Sequence, residues 1–360
     1  TLDDYVVTAN ISGVTELDVS NKEISDLTGI EGFTALTNLE CNNNQLTSLD
    51  VSNNTVLQVL NCGANQLTSL DVSSNTALEE LICNNNELTS LDVSSNTALV
   101  DLICNNNELT SLDVSSNTAL EELYCEDNQL TSLDVSSNTA LDALQCKYNQ
   151  LTNLNVNGAT ALSSIVCYHN SLTILDVSSN TALTKLDCNE NELTSLDVSS
   201  NTALEELYVN NNQLTSLDLS NNTALTWLQC NANKLTSLDV SNNTALRNLT
   251  CAENQLTSLD VTKNTGLRWL YCHDNKLTSL DMSRNTELFG LFCVNNSLTS
   301  LNMRNGVTDS LKLFQIETNP NLTCIETLDP DYATANWTSA NGNIDAGVTF
   351  AVICGGTDLT

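Results

Sequence analysis

Laid out in steps of 21 residues, the chain sorts the side chains that could do chemistry into three columns. The first holds aromatic residues. From Leu36 to Ser297 these are Tyr124, Tyr148, Tyr168, Tyr208, Trp227, Trp269, Tyr271, Phe289 and Phe292, and all of them fall at outward positions of one half of the repeated phrase. Solvated faces rarely collect Trp and Tyr, whereas binding surfaces are enriched in them. Trp227 and Trp269 share a column two repeats apart, roughly 10 Å on a strand ladder. Asn248 stands between them, and Arg247, Arg268, Tyr208, Tyr271, Phe289 and Phe292 lie beside them. This mixture suits a protein or a glycan ligand. A second patch places Asp127, Tyr148, His169 and Glu190 in one column, flanked by Tyr124, Lys147, Tyr168 and Lys185. Ordinary polar rim residues on an exposed sheet would look the same.

Catalysis is not expected from either patch. His169 and His273 are far apart, and neither has a Ser or Cys placed to be its nucleophile. A pair made of Asp127 and Glu190 would lie roughly 14 Å apart by rung spacing, too far for glycoside hydrolysis. No cofactor is expected.

The second column is cysteine. Twelve of the fourteen, Cys41, Cys62, Cys83, Cys104, Cys125, Cys146, Cys167, Cys188, Cys230, Cys251, Cys272 and Cys293, occupy one slot, which Val209 fills in the remaining copy. Val substitutes there, so packing is the shared role. Side chains stacked in register on parallel strands point the same way, which suits neither a disulfide nor a tetrahedral zinc site, so a buried column of free thiols is expected. Cys324 and Cys354 lie outside the array and are expected to pair. The third column is Asp, at 50, 71, 92, 113, 134, 176, 197, 218, 239, 260 and 281, interrupted by Asn155. Stacked like charges repel. Each carboxylate is expected to accept hydrogen bonds from nearby hydroxyl or backbone N–H groups. Calcium bridging is the alternative, although the Gly-rich Asp turns of calcium-binding solenoids are missing, and so hydrated a face is a poor ice binder.

The element that positions these columns is the phrase itself, LEELICNNNELTSLDVSSNTA from Leu78 to Ala98 in its cleanest copy. Thirteen copies run without insertion, their first Leu at 36, 57, 78 and every 21 residues to 288. Leu78-x-x-Leu81-x-Cys83-x-x-Asn86-x-Leu88 fits the leucine-rich-repeat pattern, with Cys in the third Leu slot. Leu81 and Cys83 then face inward on a strand while Glu80, Ile82 and Asn84 face out. Asn86, present in all thirteen copies, sits at the turn and is assigned a structural role. The second half, through Leu88, Leu91 and Val93, repeats the spacing, so each turn is expected to carry two short strands and the chain two parallel sheets. The fold class is therefore a β-rich solenoid of 21-residue turns, weakly curved and capped at both ends. The sheet bearing the aromatics is taken as the concave one.

Charged residues make up 15% of the chain and the net charge is −33. Residues 1–146 hold 23 acids and one base, against 21 acids and ten bases in 147–360. Such a surface repels phosphate backbones and anionic bilayers, and no apolar run approaches membrane-spanning length. Nucleic-acid binding and direct membrane insertion are thus not expected, and a monomer is. Beginning at Thr1 without Met or signal peptide, the sequence looks like a mature or excised segment.

In order, residues 1–13 read as part of an N-terminal cap, 14–35 as a divergent first repeat, 36–297 as the thirteen repeats, and 298–360 as a degenerate last repeat with a C-terminal cap. VTELDVSNKEISDLTGIEGFTA, from Val14, resembles the opening repeats of internalin-type leucine-rich-repeat proteins, and the Cys-bearing copies resemble the internalin J subgroup. Similar LTSLDVS-x-NT arrays occur in secreted proteins of the Bacteroidetes. The tail NPNLTCIETLDPDYATANWTSANGNIDAGVTFAVIC is similar to the C-terminal caps of that family, which implies that it seals the last rung with the Cys324–Cys354 bond as a staple. The resemblance implies secretion or surface display and a recognition role. An adhesin-like module binding a protein through the concave sheet is the leading expectation. A carbohydrate-binding module using the Trp and Tyr column, or a structural spacer, is the alternative.

Overall fold

The computed structural model describes residues 10–355, so residues 1–9 of the expected N-terminal cap lie outside the described residues. The chain divides into two compact units, one ending at Ala182 and one beginning at Leu183. Each is a parallel β-solenoid of 21-residue turns. In the first unit the strands are Glu16–Asp18, Asn38–Glu40, Val59–Asn61, Glu80–Ile82, Asp101–Ile103, Glu122–Tyr124, Ala143–Gln145 and Ser164–Val166. In the second they are Lys185–Asp187, Glu206–Tyr208, Trp227–Gln229, Asn248–Thr250, Trp269–Tyr271, Gly290–Phe292 and Leu313–Gln315. Register advances by one repeat per rung, as in Glu80↔Asp101↔Glu122 and Trp227↔Asn248↔Trp269↔Gly290. Among the described residues no helix is long and apolar enough to cross a membrane.

Alternation along each strand sends one residue into the core and its neighbours outward. Leu81, Cys83, Leu88, Val93 and Leu99 are fully buried, and their counterparts behave alike along the array. The turn after each strand is held by an amide. Asn86 donates from Nδ2 to the carbonyls of Cys83 and Cys62, each at 3.1 Å, and its Oδ1 accepts the Leu67 N–H at 2.9 Å. One side chain thus satisfies backbone groups of two successive turns that no ladder reaches. A second amide ladder, not singled out in the sequence, runs on the other side of the core. Asn96, fully buried, donates to the carbonyls of Val72 and Asn75 at 3.0 and 2.8 Å.

The second half of each turn departs from the expected continuous sheet. Its segments pair as strands at Ser132–Asp134 with Asn153–Asn155, and in a four-stranded set made of Ser279–Asp281, Ser300–Met303, Cys324–Thr327 and Thr349–Ala351. Elsewhere among the described residues this wall shows a single isolated bridge, Asp50↔Asp71. The reason lies in the Asp column. Both strand pairs within the repeats set an Asp against an Asn, Asp134↔Asn155 and Asp281↔Asn302. Where Asp faces Asp among the described residues the wall gives no more than the single bridge Asp50↔Asp71, since like charges oppose close approach without forbidding it.

At the C-terminal end a short helix, Pro330–Asn336, starts at Asp329, whose side chain caps the Tyr332 N–H. Trp337 then stacks on Phe314 at 3.9 Å. Asp345 accepts the N–H groups of Thr318 and Asn319, and Asn343 donates to the Phe314 carbonyl. These contacts satisfy polar groups that a further turn would otherwise meet. Cys324 and Cys354 form a disulfide with Cα atoms 5.9 Å apart.

Candidate functional site

In the second unit the strand wall gathers most of the aromatic side chains into one surface. Trp269 lies nearly parallel to Tyr271, with ring centroids 6.3 Å apart and planes 16° apart, and to Phe289 at 6.4 Å and 28°. The next residue in its column explains this posture. A Cβ on Gly290 would run into the six-membered edge of the Trp269 indole, so the ring can lie across the neighbouring strand because that position carries no side chain. Tyr271 also touches Phe292 at 6.1 Å, and Phe292 meets His273 edge-on at 4.5 Å. Burial holds the His273 pKa below its usual value, against the pull of Asp274 and Glu253. Trp227, 38% exposed, sits 6.3 Å from Tyr208, whose hydroxyl donates to Glu206 at 3.0 Å.

Arg247 and Arg268 converge on one carboxylate, Glu287, at 3.8 and 3.3 Å. All three side chains are about half exposed, so these pairs are weak and the guanidinium groups keep donors to spare. Glu287 was not legible as part of this patch, because it sits at the end of the preceding repeat rather than on the strand.

In the first unit, Tyr148 stacks on His169 at 4.5 Å and 23°, Tyr168 meets Tyr148 edge-on at 5.2 Å, and Lys147 Nζ lies 5.4 Å over the Tyr168 ring. The column expected on the sheet face is in fact a turn. Asp127, Tyr148 and His169 have φ of 54°, 52° and 55°, the left-handed region, and Glu190 in the second unit has 52°. The repeated Asn of this column, Asn43, Asn85, Asn106, Asn211 and Asn295, was the available signal, since Asn tolerates that conformation better than other side chains. Tyr124 stands apart from the cluster. Burial first and then a hydrogen bond to Glu122 push its hydroxyl up to about 12. Lys185 belongs to the second unit, where its Nζ lies 5.7 Å over Tyr208 and 3.6 Å from Glu206.

The Asp column and the thiols have internal partners or none to offer. Asp92 Oδ1 accepts the Ser94 N–H at 2.9 Å, and the Ser94 hydroxyl and then that N–H hold the carboxyl below its usual pKa. The same arrangement recurs at Asp71, Asp113 and Asp239. The twelve array cysteines are buried and reduced, and burial pushes Cys104 and Cys146 up to about 12. Among the described residues no group of three or more His, Cys, Asp or Glu is placed to hold a metal ion.

No family model matches the sequence. Against solved structures, the chain is similar to the functional domain of InlJ from Listeria monocytogenes, which includes a cysteine ladder. Identity is 39% and the TM-score 0.74, over 86% of this chain and 74% of that one. The internalin InlF of L. monocytogenes is similar at 23% identity and TM-score 0.65, covering 89% and 88%. YopM of Yersinia pestis, at 24% and 0.67, covers 89% and 90%. Those two likenesses speak to fold. Among curated proteins, Internalin J of L. monocytogenes serotype 4b is 44% identical over 52 residues, 14% of this chain and 6% of that protein. The aligned segment is a small part of that relative. With the buried thiol column, the paired turns and the InlJ likeness together, the chain belongs to the internalin-type leucine-rich-repeat family, in its internalin J-like cysteine-ladder subgroup.

Proposed function

We propose that this chain is a non-enzymatic recognition module, secreted or held at a cell surface, that grips a protein partner through the aromatic strand wall of its second unit. One observation carries this reading. The indole of Trp269 is laid flat over Gly290, between Tyr271 and Phe289, with Arg247 and Arg268 at its margin. Aromatic and Arg side chains are the residue types that dominate protein-interface energetics, and here the backbone spares a side chain so that one of them, half-buried, can lie flat along the wall. The Cys324–Cys354 bond supports an oxidising, extracytoplasmic setting. An adhesin-like role is the form such a module takes on a surface.

The test immobilises wild type beside the Trp227→Ala/Trp269→Ala variant and offers solubilised surface proteins from candidate host or neighbour cells. The proposal expects a partner retained by wild type and released by the variant. Equal retention by both would remove this wall from the function.

A further inference from the structure

The opposite wall changes little from copy to copy, and in the first unit its main departures fall in two successive copies. Where other copies carry Ser-Leu-Asp-Val-Ser-Ser-Asn, the sixth carries Asn153-Leu-Asn155-Val-Asn157-Gly158-Ala159, and the next places Ile174 in the Ser position. Ser132–Asp134 pairs with Asn153–Asn155, and Gly158 comes so close to the previous turn that a Cβ there would collide with the Ser136 backbone. This rung is drawn toward its predecessor. Across this rung and its two neighbours lies an open depression of about 730 Å³, lined by Asp134, Asn153, Asn155, Asn157, Ile174 and Asp176 among others. A second depression, of about 450 Å³, lies at Asn302, the other place where Asn stands against an Asp of the column.

The lining excludes most ligand classes. It holds no Lys, Arg or His, and two carboxylates, so an anion is repelled. Asp134 and Asp176 are two rungs apart, roughly 10 Å, too far to share a cation that needs oxygens at about 2.3–2.6 Å. Trp, Tyr, Phe and Arg anchors of the kind a protein partner would use are missing from it. What it offers is three amides, the hydroxyls of one Ser and two Thr, and carboxylate oxygens beside one exposed aliphatic side chain, Ile174, which is 75% exposed. Oδ1 of each Asp is engaged by the N–H of Ser136 or Ser178, and Asn155 and Asn157 also donate to Asp134 and Asp176, which leaves the remaining lone pairs of each carboxylate to accept. Amides and carboxylates match vicinal hydroxyls, which donate and accept at once, and Ile174 supplies a contact for a C–H face.

We propose that this depression is a subsite for an uncharged saccharide, separate from the aromatic wall. Its test uses variants that restore what other copies carry, and Ile174→Ser leaves the pairing of Ser132–Asp134 with Asn153–Asn155 untouched, so its result reads the site apart from any change in the rung. Saturation-transfer NMR would be run with cellohexaose, maltohexaose, mannohexaose and chitohexaose at millimolar concentration, with sialyllactose as the charged control. At least one neutral sugar should bind. Its affinity should fall by about tenfold or more in Ile174→Ser and in Asn155→Asp, and hold in Trp227→Ala/Trp269→Ala. Silence from all four neutral sugars, binding that follows the Trp residues instead, or equal binding of sialyllactose would overturn the proposal.

Discussion

In the copy beginning at Leu78, the strand Glu80–Ile82 and the segment Leu91–Val93 both send alternate residues into the core, yet the first joins a ladder and the second does not. Inward they are equivalent, Leu and Cys under one wall and Leu and Val under the other. Outward they differ. The ladder wall varies its residues freely and stacks Glu80, Asp101 and Glu122 without relief: burial and then mutual repulsion push Glu80 and Asp101 above their usual pKa. The other wall repeats an Asp in nearly every turn, and at Asp92 and Asp113 the Ser hydroxyl and then the Ser N–H two residues on hold the pKa below its usual value. On this second wall, a carboxylate occupied by its own turn substitutes for pairing. The first wall is therefore free to carry function and the second is built mainly for itself.

The largest effect that would break this comparison concerns the shared interior. Variation on the ladder wall must not reach the Cys column beneath it. With Cys104 pushed up to about 12 from the usual 9.0, its thiolate fraction near neutrality falls about a thousandfold, before access is considered. Native protein should therefore resist a thiol reagent. Denatured protein should expose twelve reactive groups, and two more after reduction. Rapid native labelling at several of the twelve would show a pliable wall.

Next in size is binding. Trp227→Ala and Trp269→Ala should each weaken a partner of the aromatic wall by about 2 kcal/mol or more, while stability moves by about 0.5 kcal/mol. Ser90→Ala and Ser111→Ala on the other wall should leave binding intact. If the Ser variants fail and the Trp variants bind, the two walls have exchanged roles. Gly290→Ala sharpens the same point, since it should impair binding by displacing the indole without removing it.

How much of this was legible beforehand follows from what repetition reveals. Periodicity exposed the inward columns and the first Asn ladder at Asn86, because burial tolerates few residue types and every copy repeats them. Copy-to-copy variation singled out Trp227 and Trp269, which the structure does place on one wall. It could not show that Tyr148 and His169 stand at a left-handed turn, since a period fixes a residue's neighbours and not its φ. Nor could it show that the second wall, expected to form a sheet throughout, pairs only in places: Asn155 was visible as a break, but its consequence for the backbone depends on spacing. Asn96 repeats from copy to copy nearly as Asn86 does and was equally open to the same reading, although the leucine-rich-repeat pattern gives its slot no place.

The left-handed column gives a prediction of about 0.5–1 kcal/mol. Glu253, at φ 52°, has no ring contact, so Glu253→Asn should stabilise the fold by that amount. Tyr148→Asn relieves the same backbone but forfeits its contacts with Tyr168 and His169, worth a comparable figure. It should gain little. Equal gains in calorimetric melting would mean the Tyr148 cluster has no energetic weight of its own.

The smallest effect bears most directly on the ladder. If paired carboxylates keep the second wall apart, Asn155→Asp should dissolve the pairing with Ser132–Asp134, and Asp113→Asn should create a new pair beside it. Asn keeps the local turn in either case, as the Asn157 N–H to Asn155 Oδ1 bond at 3.2 Å demonstrates. Each change should therefore cost or gain about 0.5 kcal/mol or less, read best by amide exchange at Val135, whose N–H now bonds the Asn155 carbonyl at 2.9 Å. Acid should discriminate further. Asp92 and Asp113 have folded pKa values below the unfolded ones, so their contribution is present above the unfolded pKa and lost as pH falls through the folded one. Glu80 and Asp101 have the opposite sign, and protonating them as pH falls relieves the ladder wall. Mild acid should thus tighten exchange around Glu80–Ile82 and Asp101–Ile103 before stronger acid loosens the turns at Asp92 and Asp113. The reverse order would mean that charge does not decide which half of the turn forms a sheet.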